Sequence, residues 1–238
     1  MRIVSIVGIV VLMLAMTASA QSQIKFGVKA GAAMATMSGD GWDDIEVLDS
    51  VSIEKKYKLG LAAGAFVEFP LGTSGVSLQP EFLYVIKGAK AEVTEEGETY
   101  TEKLKNDYLE VPVLIKYNFT TAGSTSPFMF VGPVAAFNIG SEMMVEDPPA
   151  ADSTLGDFDI DNAKSLDFGL TIGGGLGLAM GQSGKLTFDL RYTIGLGDVF
   201  EDADDSVDDS GKINFVDEAG NALDFKNSDI RLMVGFQF

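Results

Sequence analysis

The sequence contains no cysteine and no histidine among its 238 residues. The missing cysteine excludes disulfide bonds, thiolate metal ligands and a cysteine nucleophile. The missing histidine excludes imidazole acid–base catalysis, including serine–histidine triads, and removes the commonest transition-metal ligand. Basic residues are also few, with 17 Lys and Arg against 35 Asp and Glu and a net charge of −18. Because proteins bind nucleic acid through clustered Lys and Arg, we expect no nucleic-acid partner.

Long apolar runs are missing from the chain after its first 20 residues. Within those residues, Arg2 precedes an apolar run over 3–16, and Ala18-Ser-Ala20 has the form of an Ala-x-Ala cleavage site. The run is shorter than the roughly 20 residues that a membrane-spanning helix needs, which favours a cleaved export signal over a membrane anchor. We therefore predict a signal peptide over 1–20 for the Sec pathway, followed by one domain over 21–238.

The last ten residues, 229–238, show the pattern that the rest of the chain repeats. Apolar residues occupy alternate positions, and the positions between them are small or polar, as in a β-strand with one apolar face. This pattern predicts eight strands, over residues 25–36, 58–69, 76–87, 108–119, 127–140, 166–180, 185–197 and 229–238. Their connections alternate between long and short, which is the plan of an up-and-down antiparallel transmembrane barrel with long outer loops.

Charge is divided sharply between the predicted strands and the predicted loops. The four long connections, 37–57, 88–107, 141–165 and 198–229, hold 30 of the 35 acidic residues. The strands keep thirteen charged residues, all on the face opposite the apolar one: Lys25, Lys29, Lys58, Lys87, Lys116, Lys185, Arg191, Arg231, Glu68, Glu81, Glu110, Asp167 and Asp189. That face is also rich in glycine, which suits a narrow lumen and would make a weak solvent-facing strand.

The pattern leaves two barrels open, one with its apolar face in lipid and one soluble and lipocalin-like, with that face around a ligand. Aromatic residues near the short connections resemble the interfacial girdle of an outer-membrane barrel and favour lipid. They are Phe26, Phe69, Tyr117, Phe119, Phe236 and Phe238. We expect a monomeric all-β barrel in the outer membrane of a Gram-negative bacterium. Its partners would be outer-membrane lipid and the barrel-assembly machinery, which would recognise a last strand ending in Phe238.

Several short segments carry a more specific likeness: Gly27–Gly31, Tyr108-Leu-Glu-Val-Pro-Val-Leu-Ile-Lys-Tyr117, Gly132-Pro133, Asp167–Leu170, Gly173–Gly175, Arg191–Leu196 and Phe238. Together they resemble the PorT-like outer-membrane β-barrel family of Bacteroidetes, whose members are often labelled "porin family". Tyr-Leu-Glu-x-Pro at the start of a strand is the most specific of these segments. The resemblance implies an outer-membrane barrel, and it carries over no catalytic residues.

No catalytic, cofactor or dedicated metal site is predicted. Asp157-x-Asp159-x-Asp161-Asn162 imitates the start of an EF-hand loop, but the sixth position lacks glycine and the twelfth is Phe168. The acidic run over 201–209 could gather Ca²⁺ weakly, although such runs are usually solvated surface. We interpret Arg191 with Asp189, and Glu110 with Lys116, as ion pairs inside the lumen rather than as catalytic groups.

The sequence therefore predicts a non-enzymatic outer-membrane protein with a structural or surface role. Eight strands enclose an interior that side chains can just fill, so we expect a lumen plugged by ion pairs. The many lumen-facing glycines leave some slack, which keeps a narrow solute channel open as an alternative. A soluble periplasmic ligand-binding barrel is the second alternative.

Overall fold

The computed structural model describes residues 24–39, 52–95, 98–120, 123–146, 154–181, 184–203, 214–216 and 220–238. The predicted signal peptide over 1–20 lies outside these ranges. The described residues form strands and no helix, and so contain no helix that could cross a membrane. The strands are β1 (Lys25–Ser38), β2 (Ser52–Lys56), β3 (Lys58–Pro70), β4 (Val76–Glu95), β5 (Glu98–Asn118), β6 (Thr125–Glu146), β7 (Thr154–Asp159), β8 (Leu166–Ala179), β9 (Lys185–Gly195) and β10 (Lys226–Gln237).

Eight of these strands close into one antiparallel barrel, which confirms the predicted fold. The neighbours run in the order β4-β3-β1-β10-β9-β8-β6-β5, and β5 pairs back with β4. The first and last barrel strands meet along their whole length, with Gly27 opposite Gln237 and Ser38 opposite Lys226. Closure leaves no open edge in the barrel wall, as a sheet in hydrocarbon requires.

The two faces of the wall have opposite chemistry, in the sense that the alternation predicts. Large apolar side chains point outward, and Leu61, Leu190 and Leu232 are each more than half exposed. Charged side chains point inward, and Arg191 and Arg231 are each only 1% exposed. An exposed apolar band around buried charges is the arrangement of a transmembrane barrel and the reverse of a lipocalin. The soluble ligand-binding alternative is therefore not favoured.

The predicted loop over 88–107 is wrong, because β4 continues to Glu95 and β5 begins at Glu98. The two strands stay in register over this whole stretch, with Gly88 opposite Lys105 and Glu95 opposite Glu98. At about 3.3 Å per residue, Gly88–Glu95 prolongs β4 by roughly 25 Å. The acidic composition concealed a second alternation in β4, where Ala89 and Ala91 are buried and Lys90 and Glu92 are only partly buried.

Two further strands lie within predicted loops and widen this extension. β2 pairs with the outer end of β4, and β7 pairs with the outer end of β6. β6 itself runs to Glu146, beyond the predicted end at Gly140. The strands β2-β4-β5-β6-β7 therefore form a five-stranded sheet beyond the barrel, on the side of the long connections. We call it the outer sheet.

Pro80 lies within β4 and Pro112 within β5, and a proline inside a strand often marks a bulge. The register between neighbouring strands is the same on both sides of each proline. Between β5 and β6, the register shifts instead at Asp107/Tyr108. Beyond this shift, the two strands continue from the barrel wall into the outer sheet.

Candidate functional site in the barrel lumen

The middle of the lumen holds a cluster of four charged residues, which we call the central cluster. The Glu81 carboxylate accepts hydrogen bonds from Arg191 at 2.7 Å and from Lys29 at 2.8 Å. Asp189 accepts a second bond from Arg191 at 2.8 Å and pairs with Lys29 at 3.3 Å. Two cations thus share two carboxylates, and none of the four side chains is more than 3% exposed.

A second cluster of the same composition lies nearer the outer end, and we call it the upper cluster. Arg231 donates to both oxygens of Glu110, at 2.6 and 2.9 Å, and to both oxygens of Asp229, at 2.5 and 2.8 Å. Lys87 pairs with Glu110 at 2.7 Å and with Asp229 at 3.2 Å. Asp229 stands at the boundary between the predicted connection 198–229 and the predicted strand 229–238, and in the structure it lies in β10 and is buried in the lumen.

The lower cluster, at the end of the short connections, contains one ion pair and several amides. Lys116 donates to Glu68 and to Gln79, both at 2.9 Å, and Gln237 donates to Glu68 at 2.8 Å. Gln79 also donates to Glu81 at 2.7 Å, which links the lower cluster to the central one. Each of the three clusters holds equal numbers of cations and carboxylates, as buried charges require.

The clusters confirm one predicted pair and correct the other. Arg191 and Asp189 do form an ion pair. Glu110 and Lys116 do not, because six residues of one strand separate them by about 20 Å. Each forms ion pairs across the lumen instead. Glu110 pairs with Lys87 and with Arg231, and Lys116 pairs with Glu68. Of the thirteen predicted lumen charges, Lys25, Lys58 and Lys185 are only partly buried.

Aromatic rings fill the space beside the cations. Lys116 Nζ lies 4.3 Å from the centroid of the Phe128 ring, and the Arg191 guanidinium lies 4.9 Å from that of Phe130. Both rings pack against glycines of β8, where an added Cβ would come within 2.7 Å of Phe128 at Gly175 and within 2.6 Å of Phe130 at Gly173. These lumen glycines therefore leave no slack, since their missing side chains are replaced by rings from β6.

Polar side chains without charge partners form the next layer outward. This polar layer consists of Asn106, Tyr108, Asn138, Ser141, Asp167 and Asn227. The Asn227 side chain donates to the Tyr108 hydroxyl at 3.1 Å, and Asn138 donates to Ser141 at 2.8 Å. Asn106 is completely buried, yet neither its side-chain nitrogen nor its oxygen has a hydrogen-bond partner. Tyr108 and Asn106 share the parity of Glu110, so the strand pattern contained the signal that placed them inside.

The outer mouth of the barrel is closed by an apolar core, which we call the outer cap. It contains Met37, Ala89, Ala91, Ile160, Val199, Phe200, Leu223 and Phe225. Leu104 of β5 and Met143 of β6 pack against it, so inward-facing residues of four barrel strands meet the segments before β8 and between β9 and β10. The Phe200 ring stacks on Phe215 at 4.7 Å and meets Phe225 edge-on at 5.7 Å. This core was not predicted, because its loop residues lack regular alternation.

One amide fastens the segments of the cap to each other. Asn162, 5% exposed, donates to the backbone carbonyl of Glu201 at 2.8 Å and to that of Phe215 at 3.3 Å. Its own side-chain oxygen accepts the backbone N–H of Phe215 at 3.1 Å. The EF-hand-like sequence therefore uses Asn162 as a structural clamp between loop segments.

Charges on the outer sheet behave differently from those in the lumen. Lys56 forms an ion pair with Glu92, and Lys90 reaches the same carboxylate at 3.0 Å. The hydrogen bond to Glu92 raises the pKa of Lys56, and the same bond lowers the pKa of Glu92. These groups are open to solvent, so their pairing adds little to stability.

In the described part of the chain, no group of three or more Asp or Glu residues could hold a metal ion. Most of the acidic run over 201–209 lies outside the described residues, and the weak Ca²⁺ binding predicted there stays a prediction.

Comparison with known proteins agrees with this architecture. Residues 19–201 match the family model described as "Outer membrane protein beta-barrel domain". The chain belongs to this family. It is accordingly a β-barrel protein of the Gram-negative outer membrane, and the lipid-facing interpretation of its apolar band is confirmed. No curated protein sequence matches the chain.

Solved structures with a similar fold include three surface or outer-membrane barrels. Neisserial surface protein A is 14% identical with a TM-score of 0.40, and the match covers 91% of this chain and 100% of that one. The attachment invasion locus protein Ail of Yersinia pestis is 11% identical with a TM-score of 0.38 and the same coverage. OprG of Pseudomonas aeruginosa is 10% identical with a TM-score of 0.42, covering 90% of this chain and 95% of that one. Similarity at this level carries no argument about role.

Proposed function

We propose that this chain is a non-enzymatic surface protein whose closed barrel anchors and stiffens an extracellular platform. The platform is the outer sheet together with the acidic connections between its strands. The single observation that carries the proposal is the filled lumen, in which three neutral ion-pair clusters lie beneath an apolar cap. Eight-stranded barrels have room for side chains inside and no wide aqueous channel.

The proposal includes assignment to the PorT-like subgroup, which rests on the sequence likeness; the most specific segment lies in the middle of β5 and not at the start of a strand as predicted. Tyr108, Glu110 and Pro112 of Tyr-Leu-Glu-x-Pro are all buried at inward-facing positions. Tyr108 contributes to the polar layer and Glu110 to the upper cluster. In a PorT-like barrel of known structure, we expect the same three positions to face the lumen, and outward placement of them would contradict the assignment.

Export and assembly complete the proposal. The chain would leave the cytoplasm through the Sec pathway, and the barrel-assembly machinery would then recognise its last strand. Phe238 is 69% exposed, and its backbone N–H donates to Phe26 at the junction of the first and last strands. Phe238→Ala is expected to lower the folded outer-membrane pool without changing export, as measured by fractionation and heat-modifiability on gels. Unchanged folded yield would argue against this role of Phe238.

A narrow solute channel is the alternative that experiment must exclude. Purified protein is folded into liposomes, and the entry of small sugars is followed by light scattering. A platform protein gives the swelling rate of empty liposomes, whereas a channel gives faster swelling that depends on sugar size. A general porin reconstituted in parallel shows that the assay detects permeation.

A further inference from the structure

The polar layer contains a buried carboxylate that the three charge clusters do not neutralise. Asp167 is 3% exposed, and its Oδ1 atom has no hydrogen-bond partner. Within the described part of the chain, no Lys or Arg forms an ion pair with it, whereas the other five buried barrel carboxylates all have one. The nearby upper cluster is already balanced, with two cations on two carboxylates. Asp167 is thus a third carboxylate beside the two cations of the upper cluster, and Lys87, which acts on it electrostatically, is already paired with Glu110 and Asp229.

Other unpartnered oxygens belong to the same layer. Asn227 lies between Tyr108 and Asp167: its amide nitrogen binds the Tyr108 hydroxyl at 3.1 Å, and its side chain also faces the Asp167 carboxylate. The Oδ1 atom of Asn227 has no partner, although the residue is only 1% exposed. Asn106 lies on the wall between Lys87 and Ser141 and brings another buried, unpartnered amide oxygen.

These oxygens lie in a part of the lumen that is closed on both sides. The outer cap covers the layer toward the exterior, and the upper cluster closes it toward the periplasm. Lys87 Nζ lies 5.5 Å from the centroid of the Tyr108 ring, so the upper cluster directly adjoins the layer. A buried carboxylate and buried amide oxygens without partners are costly to a folded protein unless a ligand satisfies them.

We propose that the polar layer is a binding site for a single monovalent alkali cation, Na⁺ or K⁺, with Asp167 as its charged ligand. A monovalent ion would place one positive charge beside this single carboxylate. Ca²⁺ sites use several carboxylates, and only Asp167 is available here. The softer transition metals prefer imidazole and thiolate ligands, and the chain has neither histidine nor cysteine. The amide oxygens of Asn106 and Asn227 are the hard, neutral ligands that an alkali cation accepts.

The first test compares the unfolding midpoint of the folded protein in NaCl, KCl and N-methyl-D-glucamine chloride at equal ionic strength. N-methyl-D-glucamine is a cation too large for this layer. A bound ion stabilises the native state in proportion to the logarithm of its concentration, so the midpoint should rise with Na⁺ or K⁺ and stay lower in the organic salt. Asp167→Asn should lose this difference, while the matched surface variant Glu54→Gln should keep it.

The second test uses wild-type crystals soaked in a thallium(I) salt and therefore does not depend on the folding of a variant. An anomalous peak beside Asp167 and Asn227 would support the site. The proposal would be overturned by equal unfolding midpoints in all three salts together with no thallium peak in the lumen. In that case Asp167 would be neutralised by a proton and would need no bound cation. An alkali-specific midpoint shift that Asp167→Asn retains would also overturn it. None of these results depends on whether the barrel conducts.

Discussion

The lower part of the lumen and its outer mouth are filled with side chains of opposite chemistry. Below, the strands supply Lys, Arg, Glu and Asp side chains that satisfy each other in three neutral clusters. Above, chain segments between the strands supply Phe200, Phe215 and Phe225 to an apolar core. Both regions exclude water from the same barrel, one through ion pairs and the other through hydrophobic packing.

The lumen is charged below and apolar at its mouth because the surroundings of the barrel wall change from lipid to water. Within the membrane the outer face must be apolar, and charges on the inner face keep the two faces distinct, because a register slip of one residue would move charges into lipid. Beyond the membrane the outer side of the wall meets water instead of lipid. Apolar residues can therefore turn inward there, and the outer cap forms an ordinary hydrophobic core.

We expect the largest loss of stability from removing one carboxylate of the central cluster. Among the residues that the structure describes, Glu81→Gln leaves Lys29 and Arg191 with Asp189 as their only carboxylate partner. Breaking a buried ion pair from one side costs about 3–5 kcal/mol, so we expect the free energy of unfolding to fall by that amount. Urea titration of protein folded into lipid vesicles measures it.

Glu54→Gln is the matched control, because Glu54 pairs with Lys56 on the outer sheet and its side chain is 73% exposed. This variant should unfold at the same urea concentration as wild type. Similar losses in the two variants would mean that burial does not distinguish the lumen pairs.

The packing of rings on lumen glycines offers a smaller perturbation of the same region. In Gly175→Ala the added Cβ meets the Phe128 ring and the backbone carbonyl of Phe188. Overpacking of this kind costs about 1–3 kcal/mol, and the same urea titration should detect it. Gly140→Ala is the control, since an added Cβ there meets nothing within 4 Å. Equal stability of both variants would show that the lumen has slack.

The cap can be loosened without touching the charges by Asn162→Ala. The substitution removes the two hydrogen bonds that Asn162 donates to the carbonyls of Glu201 and Phe215 and the one that it accepts from the Phe215 N–H. Each such bond contributes about 0.5–1.5 kcal/mol, and the Phe215 carbonyl keeps its hydrogen bond from the Leu223 N–H. We expect faster amide hydrogen exchange over 199–203 and 220–225, with exchange in β9 and β10 unchanged. Faster exchange throughout the barrel would contradict the separation of the two regions.

We expect the smallest effect from changing the exposed ion pair between Lys56 and Glu92 on the outer sheet. The pKa of Glu92 is lowered mainly by its hydrogen bond with Lys56. In Lys56→Gln, carbon-detected NMR titration should therefore find the Glu92 carboxyl protonating at a higher pH than in wild type. A group with a lowered folded pKa contributes stability that is lost as pH falls through that pKa, so this contribution is absent in acid. An unchanged titration would mean that the pair does not form in solution.

Alternation made the barrel wall readable from the sequence. Inward and outward faces were assigned for every barrel strand, because Leu190 and Arg191 have only one arrangement that keeps the charge out of lipid. In β6, Phe128 and Phe130 share the parity of Gly132 and Asn138, and both rings are buried in the lumen. Alternation could not predict which charged residues pair inside the lumen. Lys116 and Glu68 are distant in sequence and come together only because the barrel closes.

The outer end was harder to predict for a different reason. The stretch 88–107 alternates too, but its outward residues are charged because they face water, and charge density was interpreted as loop. The cap joins residues as distant as Met37, Ile160 and Phe225, with no periodic signal between them. Asp229 was counted with the last connection although it also begins the predicted strand 229–238, because the apolar alternation starts only at Ile230, whereas β10 begins at Lys226.

Single-channel recording in planar bilayers tests most directly the claim that the lumen is sealed twice, by the ion-pair clusters and by the cap. Wild-type protein is compared with Phe200→Ala/Phe225→Ala, which removes the aromatic centre of the cap. We expect no open-channel steps in either protein, because the three ion-pair clusters still fill the barrel below the cap. Open-channel steps in the cap variant alone would show that the clusters do not seal the lumen. Steady porin-sized steps in the wild-type protein would contradict the claim that the lumen is sealed at all.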